Sequence, residues 1–359
     1  MTVAGIRVPA APNSRRQPVS ARQRAAVRRA AQRRRHARNR ALANAAGLAT
    51  GYALDAWLGD PSRFHPVAGY GRWAGVLERR MWAPDREAGA KFTAAAVGVP
   101  VAVAAIAAIA TRRHPLARAT LTAVVTWTVL GGRSLRREAH AIADSLAVDD
   151  IDAARSRLPN LCGRDPSTLD RQELARATVE SVAENTSDAE VGPLLWGALA
   201  GLPGLVGYRA VNTLDAMVGH RSARYEQFGT ASARLDDLAN LAPSRFTAAL
   251  TVAAAPLVNP GPRRGLSVAR AAWVWLRQGH RHPSPNSGQC EAAMAGALGV
   301  SLGGRNIYQG RTEDRPVLGN GPPPSTVDIR RTARLSGAVG LAALALCVGH
   351  VLNRARSRG

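Results

Sequence analysis

Five runs without a single Asp, Glu, Lys or Arg set the firmest limit on what this 359-residue chain can fold into. They cover residues 92–110, 119–132, 191–208, 246–262 and 335–353, and a weaker run covers 41–58. About 20 helical residues cross a bilayer, so 92–110 and 335–353 are the best candidates for full spans. Arginines bracket several runs (Arg40, Arg112-Arg113, Arg334, Arg354), as expected where helices leave a membrane. The competing explanation is a large soluble helical core, whose buried helices are also apolar all round. Run 191–208 differs from the others because Gly201-Leu-Pro203-Gly204 breaks its middle. It reads as two short helices joined by a turn, a re-entrant pair that would return the chain to the side it came from.

The charged stretches between the runs (60–91, 133–190, 209–245 and 263–334) show no series of alternating strands. The predicted class is therefore all-α: a multi-pass helical membrane protein with polar helical loops and a disordered basic N-terminal arm. Three parts follow, an arm over 1–41, a membrane domain over 42–353 and a basic tail over 354–359. Residues 1–40 hold twelve arginines and no acid, about half of the formal charge of +23. That imbalance is why the mean hydropathy of −0.13 understates how apolar the remainder is. The arm lacks the apolar residues for a core. Its charge suits anionic lipid, at roughly 1 kcal/mol per arginine near the surface, better than nucleic acid, since no aromatics are interleaved. Arginine bias places both termini in the cytoplasm. Lys91 is the only lysine, so no P-loop can be written. Cys162, Cys290 and Cys347 are odd in number and far apart, which supports neither a disulfide framework nor a thiolate metal site.

Two acidic segments abut the apolar runs. In Thr178–Asp188, Glu180, Glu184 and Asp188 recur every fourth residue, which stacks them on one helix face. Like charges there repel by a few tenths of a kcal/mol per pair, so a cation is expected among them unless the face is merely solvated. In the second segment Asn212 and Asp215 sit one turn apart, followed by Arg234, Asp236, Asp237 and Asn240. Arg209, Arg221, Arg224 and Arg245 stand nearby in sequence, and guanidinium groups suit phosphate oxygens. Metal ligands are therefore expected among Glu180, Glu184, Asp188, Asp215, Asp236 and Asp237. Phosphate or substrate contacts are expected from the arginines with Asn185, Asn212, Ser284 and Asn286.

Two proline-stiffened loops carry the candidate catalytic groups. Gly59–Gly69 holds Asp60 and His65, each before a proline and so pushed towards extended backbone. His282–Glu291 holds His282 and Ser284, with Asn286 or Ser287 placed to cap the next helix. A zinc site at His280 and His282 lacks further ligands.

Four motifs, GDPSRFHPVAGYGR, ATVESVAENTSDAEVGPLLW, YRAVNTLDAMVGHRSARYEQFGTASARLDDLANLAPSR and HPSPNSGQCEAAMAGALGVSLGG, closely resemble the CobD/CbiB family of membrane-bound adenosylcobinamide-phosphate synthases. The likeness covers roughly residues 42–350, in order. It implies a multi-pass cell-membrane enzyme that joins (R)-1-amino-2-propanol, or its O-phosphate, to the f-propionate carboxylate of adenosylcobyric acid at the expense of ATP. An acyl phosphate is the usual route for such a ligase. That route would need Mg²⁺ at the carboxylates, arginines around the phosphoryl group, and a base, for which His65 and His282 are candidates. The site would face the cytoplasm. Two other readings stay open: a membrane prenyl- or alcohol-phosphate transferase, and a non-enzymatic scaffold recruiting other corrinoid-pathway enzymes.

Overall fold

The computed structural model describes residues 21–61, 65–220, 222–259, 264–308 and 311–357. Helices dominate: α1 (Ala21–Leu58), α2 (Pro66–Met81), α3 (Arg86–Ala110), α4 (Pro115–Val129), α5 (Gly132–Ala147), α6 (Ile151–Arg157) and α7 (Arg171–Thr186) lead into α8 (Gly192–Ala200) and α9 (Leu202–Leu214). α10 (Thr230–Ala254), α11 (Arg264–Gln278) and α12 (Ser287–Leu298) follow. A hairpin of β1 (Leu302–Tyr308) and β2 (Arg311–Leu318) then precedes α13 (Thr326–Ser357).

Local chemistry sets several boundaries. Asp170 and Glu173 close a reciprocal capping box at the start of α7. Asp85 caps α3 through the Ala88 amide at 2.8 Å. The expected break in run 191–208 is present: Gly201 has φ +67°, between α8 and α9, each with a proline in its first turn. Among the described residues three segments are long and apolar enough to cross a membrane: Arg86–Arg113, Thr230–Val258 and Thr326–Ser357. They contain or overlap runs 92–110, 246–262 and 335–353.

The molecule has two main cores. One joins α1, α4, α8, α9 and α13, with Leu48, Leu130, Leu194 and Leu205 fully or nearly fully buried. Here Gly47 and Gly51 lie against Thr122 and Thr126, where any side chain would collide. The other core gathers the polar stretches: α5, α6, α7, α11, α12, the hairpin and the start of α13. α12 is buried on every face and forms its axis.

Two expectations need correction. Residues 21–41 do not form a disordered arm but continue α1 as helix. Alanine and arginine are strong helix formers, and extending a helix already nucleated by its packed half costs little. Residues 1–20 of the arm lie outside the described residues. The second correction is the β-hairpin, an addition to the all-α class.

Candidate active site

Two helices end in π turns, and each π turn carries one of the acidic motifs: Ser187–Val191 after α7 and Asp215–Gly219 after α9. A π turn spends hydrogen-bond quality to re-aim side chains and is frequent at functional sites. In the second turn a side chain at Gly219 would meet Asp215 Oδ1, so glycine there leaves the carboxylate its position. These two turns and α10 enclose a cavity of about 690 Å³, lined by Glu184, Asp188, Asp215, Asp236 and Asp237. The His282–Ser287 loop, Asp314 and Arg315 complete its wall.

Hydrogen bonds tie the wall together. Asn212 Nδ2 donates to Asp188 Oδ2 at 3.2 Å, and Tyr208 Oη donates to Asn240 Oδ1 at 2.6 Å and lies 3.4 Å from Asp188 Oδ1. Asn240 Nδ2 then donates to Asp236 Oδ2 at 3.0 Å, while Asp236 Oδ1 is buried without a partner. Ser287 Oγ donates to Glu184 Oε1 at 2.5 Å. Burial raises Asp188 well above the usual carboxylate range, and the charges of Asp236 and Glu184 add to it. Asp215 is pushed up to about 6 by burial first, then by Asp237 and Glu184. Such a wall holds negative charge only at a cost, so it attracts cations and protons.

The CobD/Cbib protein family model matches residues 48–336. The chain belongs to the CobD/CbiB family. Cobalamin biosynthesis protein CobD of Mycobacterium tuberculosis (strain ATCC 25618 / H37Rv) is 48% identical over 311 residues, 86% of this chain and 96% of the relative. The protein of the same name from Geobacter metallireducens is 46% identical over 278 residues, 76% and 85% of the two chains. That from Rhodobacter capsulatus is 44% identical over 229 residues, 64% and 69%. No solved structure matches the chain.

In this CobD/CbiB-family chain the predicted residues do not all meet. Glu180 is diverted: it is nearly fully buried, receives Arg164 Nη2 at 2.6 Å and the Gly303 amide at 2.7 Å, and lies 3.9 Å from Arg176. Helical spacing gave its face correctly, but the hairpin packs on that face one turn before the cavity. Asp60, His65, Asn185 and Arg209 line a second cavity of about 300 Å³. Arg209 donates to the Val129 carbonyl and to Asn212 Oδ1 at 3.3 Å, so it braces the wall between the two cavities. Arg224 is spent on Glu78 at 2.8 Å and on the face of Trp82 at 4.6 Å. Arg234 is exposed beside Asp237, in a neighbouring hollow. Arg245 is exposed and supports Asn286 Oδ1 at 3.4 Å. Arg221 lies outside the described residues.

Both histidines sit in the same turn. His65 Nδ1 accepts the Val67 amide at 3.2 Å, and His282 Nδ1 accepts the Ser284 amide at 3.1 Å. A neutral imidazole has one nitrogen lone pair, and here the backbone already uses it. The other nitrogen, Nε2, therefore carries the proton. It faces Asp60 Oδ1 at 4.0 Å in one loop and Glu291 Oε1 at 3.8 Å in the other. Burial lowers His282 and raises Glu291, so for both groups it disfavours the charged form. The expected cap also shifts by two residues. Ser284 Oγ accepts the amides of Asn286 and Ser287 at 3.3 and 3.1 Å, while Asn286 Nδ2 reaches the Asp237 carbonyl at 2.8 Å.

Sequence reasoning gave Ser287 only a capping role and passed over Tyr208 and Arg315. Ser287 and Tyr208 lie inside recognised motifs and were available. Arg315 lies on a hairpin with no apolar alternation to announce it.

Proposed function

We propose that the chain is a membrane-bound biosynthetic enzyme of cobalamin assembly, an adenosylcobinamide-phosphate synthase acting as an acid–amine ligase. Its substrates are adenosylcobyric acid, ATP, and (R)-1-amino-2-propanol or its O-phosphate. The observation that carries this reading is the convergence of Glu184, Asp188, Asp215, Asp236 and Asp237 on one cavity in a CobD/CbiB-family chain. The spans Arg86–Arg113, Thr230–Val258 and Thr326–Ser357 anchor it in the cell membrane, with the cavity on the cytoplasmic side. The arginine-rich first half of α1 lies against anionic lipid.

The chemistry proceeds in two steps. The f-propionate carboxylate attacks the γ-phosphorus of ATP; a C–O–P bond forms, the Pγ–O bond to ADP breaks, and an acyl phosphate results. The amine, freed of its ammonium proton, attacks the acyl carbon; the C–N bond forms and inorganic phosphate leaves. One carboxylate, one ammonium and one ATP thus give one amide, ADP, phosphate and a proton.

Magnesium fits the donor set. The carboxylates of the wall include an unpartnered buried oxygen, Asp236 Oδ1. Among the described residues no three His, Cys, Asp or Glu stand together as a ready-made metal cluster. Mg²⁺ asks for less, since one or two carboxylates plus substrate phosphates and water suffice. Asp188 and Asp236 would hold it, and the ion, when bound, would neutralise charge on the transferring phosphoryl group. The proton of the incoming ammonium goes to a wall carboxylate, best Asp215 at about 6, because a base works best near the operating pH. His65 and His282 keep their lone pairs on the backbone and orient the loops.

The test uses purified full-length protein in detergent with adenosylcobyric acid, ATP, Mg²⁺ and each amine. Mass spectrometry should show the amide. Folded protein that makes none under any combination would end the enzymatic reading in favour of a scaffold. If Asp188→Asn and Asp236→Asn both keep full turnover at saturating Mg²⁺, the metal assignment is wrong.

A further inference from the structure

The larger cavity poses a problem of charge. Glu184, Asp188, Asp215, Asp236, Asp237 and Asp314 all line it, and a phosphoryl group must still enter. Among the described residues the arginines near the motifs in sequence do not line it: Arg209 and Arg234 line neighbouring cavities, Arg224 is held by Glu78, and Arg245 is exposed. Among the described residues one arginine lines this wall, Arg315, from strand β2. It shares that lining with His282 and Ser284 of the proline-stiffened loop.

The placement of Arg315 is built up from buried contacts. Arg315 stands directly across the antiparallel ladder from Gly304. The preceding residue, Gly303, gives its amide to Glu180 at 2.7 Å, and Arg176 donates to the carbonyls of Gly303 and Arg305. Glu180 is itself held by Arg164. Gly303 and Gly304 have φ of +91° and +90°, a bulge that only glycine adopts readily. A Cβ on Gly303 would collide with the Pro316 carbonyl, and one on Gly304 would come within 3.3 Å of Arg176 Nη1. The buried ion network thus seats the strand that carries Arg315.

We propose that Arg315 is the phosphate-binding residue of the acidic cavity: its guanidinium takes the oxygens of the phosphoryl group being transferred, opposite the carboxylates. This rests on the ATP-dependent reading above. A planar fork matched to phosphate oxygens supplies what a wall of carboxylates lacks, and fixed charges of this kind act most strongly on the transition state. Glu180 then serves as a positioning residue, acting through Gly303 and the ladder.

The experiment compares wild-type, Arg315→Ala and Arg315→Lys full-length protein in detergent. Turnover is read as amide formed; affinity is read with Mg²⁺ and adenosine 5′-(β,γ-imido)triphosphate, against ADP. Arg315→Ala should lose about 10²- to 10³-fold in turnover and bind the triphosphate analogue at least about tenfold more weakly, with a smaller change for ADP. Millimolar guanidinium should restore part of the alanine variant's activity, and lysine should recover less, because it keeps the charge but not the fork. An alanine variant within about threefold of wild type, or an equal loss for both nucleotides with no guanidinium rescue, overturns the proposal; the reference scale is one lost transition-state contact. Wild-type amide formation without ATP consumption overturns the ATP-dependent reading itself, and is recognised before any variant is compared.

Discussion

His65 and His282 precede prolines in loops built the same way, with ring-to-amide distances of 3.2 and 3.1 Å, yet they border different cavities. The smaller cavity sets Asp60 and His65 against Arg209, so its charges are mixed. The larger one carries six carboxylates on its wall against one arginine among the described residues, with His282 facing the buried Glu291 at 3.8 Å. α7 and its π turn divide them: Glu184 and Asp188 face one side, Asn185 and Ala189 the other. One local turn therefore serves two chemistries, and the neighbours supplied by tertiary packing decide which. We read the larger cavity as the place of reaction and the smaller as its brace.

The widest gap should appear between Asp236→Asn and Asp60→Asn. The first removes a carboxylate from the proposed reacting centre and should cost about 10²- to 10³-fold in turnover. The second should cost less than about tenfold, as for a residue that only supports the wall. Equal losses, measured by amide formation in detergent, would erase the distinction between the cavities.

A second difference concerns protons. Asp215 is raised from 3.8 to about 6, so the folded state disfavours its ionised form. Its contribution therefore falls as pH rises from about 4 through about 6 and is level above that. A bound cation offsets this loss. Mg²⁺ should accordingly raise the melting temperature more at pH 8 than at pH 5, and Asp215→Asn should flatten the difference. A magnesium effect independent of pH would count against carboxylate ligation.

The smallest effects should come from the histidines. Losing the His65 cap should cost about 1 kcal/mol of stability. His282→Ala should cost about 2 kcal/mol, since it also leaves Glu291 buried without its facing ring. Neither should move the acidic limb of the pH–rate profile. A shift of that limb in His282→Ala, with the fold intact by circular dichroism, would return the base role to the imidazole.

Much of this was legible in the residues. The charge-free runs marked the long apolar helices, Gly201 and Pro203 marked the break between α8 and α9, and the two acidic motifs do share a cavity. What misled was periodicity taken as a full account of a helix. Glu180, Glu184 and Asp188 are evenly spaced, but the π turn at Ser187–Val191 re-aims Asp188, and the hairpin claims Glu180. The arginines misled for a similar reason. Arg224 lies close to the second motif in sequence but is held by Glu78, 146 residues away. The hairpin itself had no apolar alternation, because its strands are seated by polar and ionic contacts.

The sequence alone determined which stretches are apolar helices, where they break, and which acidic groups are dense enough to need a counter-charge. Spacing along the chain governs all three. Only the tertiary structure decided which carboxylates face the cavity, that the histidine lone pairs are spent on the backbone, and that Arg315 is the cation on its wall. The first and last depend on partners more than 100 residues away or on a turn that departs from regular helix; the histidine contacts close within two residues, but through loop geometry that residue pattern does not record.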